Sequence, residues 1–232
     1  MMAGLLIIAV LLLIIAGPGF WAKSVIKRHQ TERADYPGTG GEFARHLIDL
    51  AELDGVAVEM TDKQGDHYDP TTRTVRLTEQ HMHGKSLAAV TIAAHEVGHA
   101  LQHRDKYWAF QMRGPLVSMT NYAVTFAMVG AIASPLLAAV FKAPGITVLM
   151  LIVMVATFVL SAVTRLVTLP VEFDASFGRA LPILDRGQFI SEEDMKPARE
   201  LLTAAAMTYV GNWVWSMLLL LRQILPFLRF LR

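Results

Sequence analysis

The sequence predicts a mainly α, polytopic helical membrane protein of about four transmembrane helices, carrying a water-exposed domain with a small β-hairpin or sheet. Three observations lead there. The 232-residue chain is 53% hydrophobic, with a mean hydropathy of +0.41, which is too apolar for an ordinary water-soluble domain of this size. Four stretches lack Asp, Glu, Lys and Arg altogether: Met1 to Ala22, Gly114 to Phe141, Ala143 to Thr164, and Leu201 to Leu221. Each is long enough to cross a hydrocarbon core, which takes about 20 helical residues. Between the first two, residues 23–113 have ordinary polar composition and turn signals. The chain therefore divides into an N-terminal transmembrane anchor (1–22), a soluble region (23–113), a transmembrane helical hairpin (114–164), a second soluble segment (165–200), and a C-terminal transmembrane or re-entrant helix with its tail (201–232).

In the first stretch no Lys or Arg precedes the apolar run and no A-x-A-like cleavage site follows it, so it reads as a retained anchor rather than a secretory signal. Trp21 suits the membrane interface, and Lys23, Lys27, Arg28 and Arg33 put the positive flank on the C-terminal side. Lys23 to Arg113 and Arg165 to Arg199 together hold 17 of the 21 Lys and Arg. The positive-inside rule then predicts a multi-pass protein of the cell (inner or plasma) membrane whose soluble segments face the cytoplasm. Arg222, Arg229 and Arg232 would lie outside, unless Leu201 to Leu221 is re-entrant or the tail lies in the interface.

In the soluble region, Thr39-Gly40-Gly41-Glu42 reads as a helix start with a carboxylate in its first turn, leading into apolar Phe43, Leu47, Leu50 and Leu53, with Gly55 as the stop. Val56, Val58 and Met60 suggest a short strand. Asp69-Pro70-Thr71-Thr72 has the composition of a type I turn and is followed by the strand-like Arg73 to Leu77. That last strand is read as the sheet edge on which an extended peptide could add as a further strand; a purely stabilising hairpin is the equal alternative. Tyr107, Trp108 and Arg113 mark a second interface, and Lys142, Pro144 and Gly145 make a tight turn between two antiparallel spans. Gly130, Ala131, Ala133 and Ser134 permit close helix packing there.

The chemistry is concentrated in Ala93 to Gln102, AAHEVGHALQ, where His95, Glu96 and His99 form H-E-x-x-H. Histidines four apart share one helix face and can reach one tetrahedral Zn²⁺. Zinc lowers the pKa of a bound water to about 7, and the adjacent Glu96 carboxylate is placed to act as its general base. From Leu87 to Leu101 Glu96 is the only Asp, Glu, Lys or Arg, and an unpaired carboxylate on so apolar a helix would cost several kcal/mol as mere structure. Gly98, mid-helix, predicts something packed close to the backbone. Having no cysteine, the chain must build any zinc site from His, Asp and Glu. A net charge of +1, with no basic stripe, gives no reason to propose nucleic acid as a partner.

A catalytic zinc usually takes three protein ligands, and Glu172 and Asp174, beyond the third apolar stretch, are the candidates for the remaining one. The blocks TGGEFARHLID, DHYDPTTRTVRL, AAHEVGHALQ, TLPVEFDAS and AAAMTYV, in this order, resemble the YugP-type neutral zinc metallopeptidases of prokaryotic membranes over almost the entire chain. More distantly the chain is similar to membrane gluzincins of the HtpX and CAAX-prenyl-protease kind. The resemblance implies a gluzincin-like zinc-protease domain with one Zn²⁺ per chain, His95, His99 and Glu172 as ligands, and Glu96 as general base. Glu172 is also the better placed carboxylate on a helix, because it shares a face with Ser176, which could support a ligand histidine, whereas Gly178 lies four beyond Asp174. Asp174 is then expected to turn away, toward Arg179 or solvent. Ser176 stands where the broader gluzincin pattern has an aspartate.

Of the other histidines, His67 in DHYD is a candidate oxyanion stabiliser or second-metal ligand, against the simpler reading of a turn residue. The implied function is a membrane-embedded zinc endopeptidase acting on membrane or membrane-proximal proteins and peptides, in membrane protein quality control, with the lipid bilayer as its other partner. The alternative is a catalytically weak membrane scaffold or adaptor that retains the protease fold. A transporter is disfavoured, because no Asp, Glu, Lys or Arg lies in the apolar stretches. Oligomeric state is not set by the sequence.

Overall fold

The computed structural model describes residues 2–62 and 65–230. In chain order its elements are α1 (Met2–Arg28), α2 (Gly40–Leu50), β1 (Ala57–Thr61), β2 (His67–Asp69), β3 (Thr74–Thr78), α3 (Glu79–His83), α4 (Leu87–Arg104), α5 (Trp108–Val140), α6 (Gly145–Phe173), a π-helical turn (Asp174–Ala180), α7 (Leu181–Arg186) and α8 (Glu192–Phe230). They form two compact units, Met1–Phe110 with Leu169–Gly211, and Gln111–Thr168 with Asn212–Arg232. The expected anchor from Met1 to Ala22 falls partly outside the described residues and side chains, and so do the tail residues Arg229 and Arg232.

The first unit is organised around α4. Its start is fixed by Ser86, whose hydroxyl caps the Ala89 N–H at 3.2 Å. Helix α4 is buried on every side, with Ala93, Ala94, Val97 and Gly98 in the interior. A helix with apolar side chains on every face must be covered all round, and α2, the sheet, α3 and the π-helical turn cover it. Helix α2 begins at a capping box in which Thr39 and Glu42 satisfy each other's backbone N–H groups. Gly40 is required there because a Cβ would collide with the His81 carbonyl oxygen and lie 2.9 Å from that of Ala89.

The end of α2 differs from the sequence expectation. The helix closes at Leu50, which is 64% exposed, and Glu52 with φ of 50° starts the turn. Gly55, with φ of 76°, belongs to the link to β1 and is not the helix stop. Leu53 still reaches the core.

The sheet order is β1-β3-β2, with β1 and β3 parallel and β2 and β3 antiparallel. Asp69 shapes the hairpin by accepting from the Thr71 N–H and the Thr72 hydroxyl, both at 2.9 Å. The order corrects the expectation that Arg73 to Leu77 forms a free edge: β3 is the central strand, and Thr74, Val75 and Leu77 are buried. The outer edges belong to β1, where Met60 is exposed, and to β2, which lies on α4. The strand with the most interior side chains takes the centre, a choice that local alternation cannot reveal.

Helix α8 is tied to the connector after α1. The Asp194 carboxylate accepts from Arg33 Nη1 at 2.6 Å, Tyr36 Oη at 3.2 Å and Ser191 Oγ at 3.0 Å.

In the second unit α5 and α6 are joined by a short turn in which Lys142 has φ of 50°, as expected of a helical hairpin. The Thr120 and Thr164 hydroxyls meet at 2.7 Å, and a Cβ on Gly130 would meet the Met150 sulfur at 2.5 Å, so small residues do allow close packing there. Among the described residues three helices, Trp108–Val140, Gly145–Arg186 and Glu192–Gln223, are long and apolar enough to cross a membrane. The last lies within the continuous helix α8.

Candidate metal centre

The ligand geometry follows from two helices meeting through a glycine. A Cβ on Gly98 would lie 2.9 Å from the Ala175 carbonyl oxygen, so the missing side chain lets the π-helical turn rest directly on α4. That is the close approach expected from a mid-helix glycine. The wider turn is closed by the Leu181 N–H bonding to Ser176 O, five residues back. Pro170 sits in the last turn of α6, just before the buried Val171 and Glu172.

This contact brings His95, His99 and Glu172 together. Among the described residues these three place potential ligand atoms all within 4.8 Å of one another. Glu172 Oε2 lies 3.4 Å from His95 Nε2 and 3.6 Å from His99 Nε2, and the Glu172 side chain is 1% exposed. Ligands about 2.0–2.1 Å from a tetrahedral zinc are about 3.3–3.4 Å apart, so the two spacings match edges of such a tetrahedron. The donor set of two imidazoles and a carboxylate also suits zinc. Glu96, beside His95 on the same helix, is buried as well, at 6% exposure.

The outer partners are specific. Ser176 Oγ lies 3.1 Å from His95 Nδ1. Gln102, wholly buried, has Oε1 3.0 Å from His99 Nδ1, and its Nε2 donates to Val171 O and Asp174 Oδ2, both at 2.8 Å. Asp174 Oδ2 also accepts from Arg179 Nε at 2.8 Å, and Arg179 Nη1 donates to Asp105 Oδ2 at 2.6 Å. The Arg104 guanidinium, then that of Arg179, holds the Asp105 carboxyl below its ordinary range against a smaller upward push from burial. Asp174 thus stands outside the ligand cluster and bonds Arg179, but it does not turn away from α4: it begins the π-helical turn, where α-helical phase does not apply, and its Oδ2 also accepts from buried Gln102.

The remaining histidines separate clearly. His67 Nδ1 donates to Gly65 O at 2.8 Å and lies outside the ligand cluster. His103, one helical turn past His99, shares a 2.9 Å hydrogen bond with the Tyr68 hydroxyl, and the Phe110 ring lies beside both His99 and His103. His81 is buried with Nδ1 2.7 Å from Asp66. Burial pushes the Asp66 carboxyl up, but the bond and charge of His81, with the Thr78 N–H and hydroxyl, bring it below its ordinary value.

Residues 4–228 match a family model described as "Putative neutral zinc metallopeptidase". The chain belongs to this family. A relative named "Putative membrane protease YugP", from Bacillus subtilis (strain 168), is 36% identical over 217 residues, covering 91% of this chain and 92% of its own. No solved structure matches. The family and the three apolar helices together indicate a membrane-associated member of a zinc metallopeptidase family.

The sequence reading missed Gln102. The signal was available, because a glutamine three residues past His99 and seven past His95 lies on their face of an otherwise apolar helix. What could not be read was its partner, which depends on the π-helical turn.

Proposed function

We propose that the chain is a membrane zinc endopeptidase of gluzincin type, with one zinc per chain held by His95, His99 and Glu172 and with Glu96 as general base. The observation that carries this reading is the convergence of two imidazole Nε2 atoms and a buried carboxylate at tetrahedral spacing, one residue away from a second buried carboxylate. A bound zinc supplies the Lewis acidity that brings a water pKa to about 7. The Glu96 carboxylate then accepts the proton of the attacking water and returns it to the departing amine. Ser176 and Gln102 fix the two rings. The cluster is largely withdrawn from water, with His99 and Glu96 each 6% exposed and Glu172 1%, which strengthens every charge interaction in the site.

The sheet topology supports β2 as the strand on which an extended peptide would add, since it is an outer strand, it lies on α4, and Tyr68 within it bonds to His103. Membrane proteins and membrane-near peptides are the proposed substrates, and membrane protein quality control the proposed role. Only seven residues separate Arg165, at the end of an apolar stretch, from Glu172. The 17 Lys and Arg of the two polar segments favour a cytoplasmic orientation in a multi-pass protein. Because the chain has no cysteine, an Asp54→Cys variant labelled in intact cells and in inverted vesicles tests this. Labelling from outside intact cells would overturn it.

The activity is tested with the full chain purified in detergent. Cleavage of an unfolded protein reporter should accompany one bound zinc, stop on chelation and return with zinc. Stoichiometric zinc without cleavage of any reporter, soluble or membrane-borne, would favour the scaffold alternative.

A further inference from the structure

Chemistry at Gln102 fixes the direction of each hydrogen bond around His99. Val171 O is a backbone carbonyl and Asp174 Oδ2 a carboxylate oxygen already receiving Arg179 Nε, so both are acceptors. The amide atom facing them at 2.8 Å must be the NH₂. The atom left facing His99 Nδ1 is then the amide oxygen, which can only accept. His99 must therefore carry its proton on Nδ1, leaving the lone pair on Nε2, the nitrogen that faces Glu172.

His95 is held differently. Its Nδ1 meets the Ser176 hydroxyl, which donates or accepts with equal ease and so fixes no tautomer. The two histidines thus have unequal supports: His99 is tied through Gln102, Asp174, Arg179 and Asp105, and His95 by one rotatable hydroxyl.

We propose that Gln102 is a positioning residue of the metal site, which locks His99 in the tautomer that presents Nε2 to the metal, and that Asp174 and Arg179 act through it by fixing which way its amide points. This rests on the proposed His95, His99 and Glu172 site. It assigns Asp174 a part in the site without making it a ligand. Carboxylates in direct contact with a ligand imidazole raise its basicity. Here the charge of Asp174 reaches His99 only through a neutral amide, and His95 Nδ1 meets a neutral hydroxyl.

The test is zinc affinity of the full chain in detergent, measured by competition with a chelator of known affinity after metal removal, with thermal unfolding of the metal-free protein in parallel. Gln102→Met keeps length and bulk but removes both amide functions, and should weaken zinc about 10- to 100-fold. Ser176→Ala should cost less. The tautomer itself is read on the metal-free wild-type chain, so the test holds whether or not Gln102→Met folds: the ring ¹⁵N shifts of neutral His99, assigned by their loss in His99→Ala, should show the proton on Nδ1 and a bare Nε2. Wild-type affinity in Gln102→Met, a larger loss from Ser176→Ala, or a His99 ring protonated on Nε2 would each overturn the proposal. Failure of the underlying metal site is distinct: the wild-type chain would then bind no stoichiometric zinc, or bind it equally after Glu172→Ala.

Discussion

The two units handle polar side chains in opposite ways. In the unit of Gln111–Thr168 with Asn212–Arg232, most hydroxyls bond back to their own helix: Thr125 to Asn121 O, Thr157 to Val153 O, Ser161 to Thr157 O and Ser216 to Asn212 O. In the unit of Met1–Phe110 with Leu169–Gly211, polar groups join residues far apart in sequence: Gln102 with Asp174, Ser176 with His95, Arg33 with Asp194. A hydroxyl that closes on its own backbone is satisfied in any surroundings, including lipid, and specifies no tertiary partner. A glutamine or carboxylate buried between elements is satisfied only in one arrangement, so it specifies that arrangement and its loss is expensive. The unit built from long-range polar contacts is the one that carries the proposed metal site.

Substitutions can break this comparison at different strengths. The largest effect is expected for Glu172→Ala, which removes one of the three converging donors and should weaken zinc by more than the roughly 10- to 100-fold scale of outer-partner losses. Metal analysis of the purified variant checks it. Asp174→Ala should retain a full equivalent of zinc when the metal is saturating, and the reverse ranking would remove Glu172 from the site.

Next in size is Gly98→Leu, which forces a side chain against the Ala175 carbonyl. It should destabilise the protein by at least about 1–3 kcal/mol and disturb zinc binding as well, because the same contact positions Glu172. Thermal unfolding with wild-type metal affinity would show that the ligands do not depend on that approach.

Asp66→Asn should cost about 2 kcal/mol at pH 7 by weakening a charge-assisted bond to buried His81. The sign follows from the depressed carboxyl: its contribution is complete above the unfolded value of about 4 and is lost as pH falls through the lower folded value. Wild type and variant should therefore converge in stability below about pH 4, as denaturant titrations across pH would reveal. The smallest effect is expected for Thr157→Val, whose hydroxyl serves only its own helix. A change within about 0.5 kcal/mol is predicted, and a much larger loss would erase the contrast between the units.

Much of the site was legible in the sequence because it depends on short-range helix geometry. His95 and His99 share a face by spacing alone, Gly98 announced a close backbone contact, and Thr39 with Glu42 marked a helix start that the structure closes as a capping box. What was not legible depends on long-range pairing. The central place of β3 follows from a parallel partner in β1, and alternation within Thr74–Thr78 carries no information about which strand lies beside it. The π-helical turn has no periodic signature in DASFGRA, yet it carries Asp174 to Gln102 and Ser176 to His95.

The central claim is that this cluster holds a catalytic zinc whose water is served by Glu96. The most direct test measures zinc content and reporter cleavage together on the same preparations of wild type and Glu96→Gln. The expected result is one zinc per chain in both, with cleavage reduced by at least about 10²- to 10⁴-fold in the variant, since only the base has been removed. Loss of zinc in proportion to activity in Glu96→Gln, or undiminished cleavage with the carboxylate gone, would contradict it.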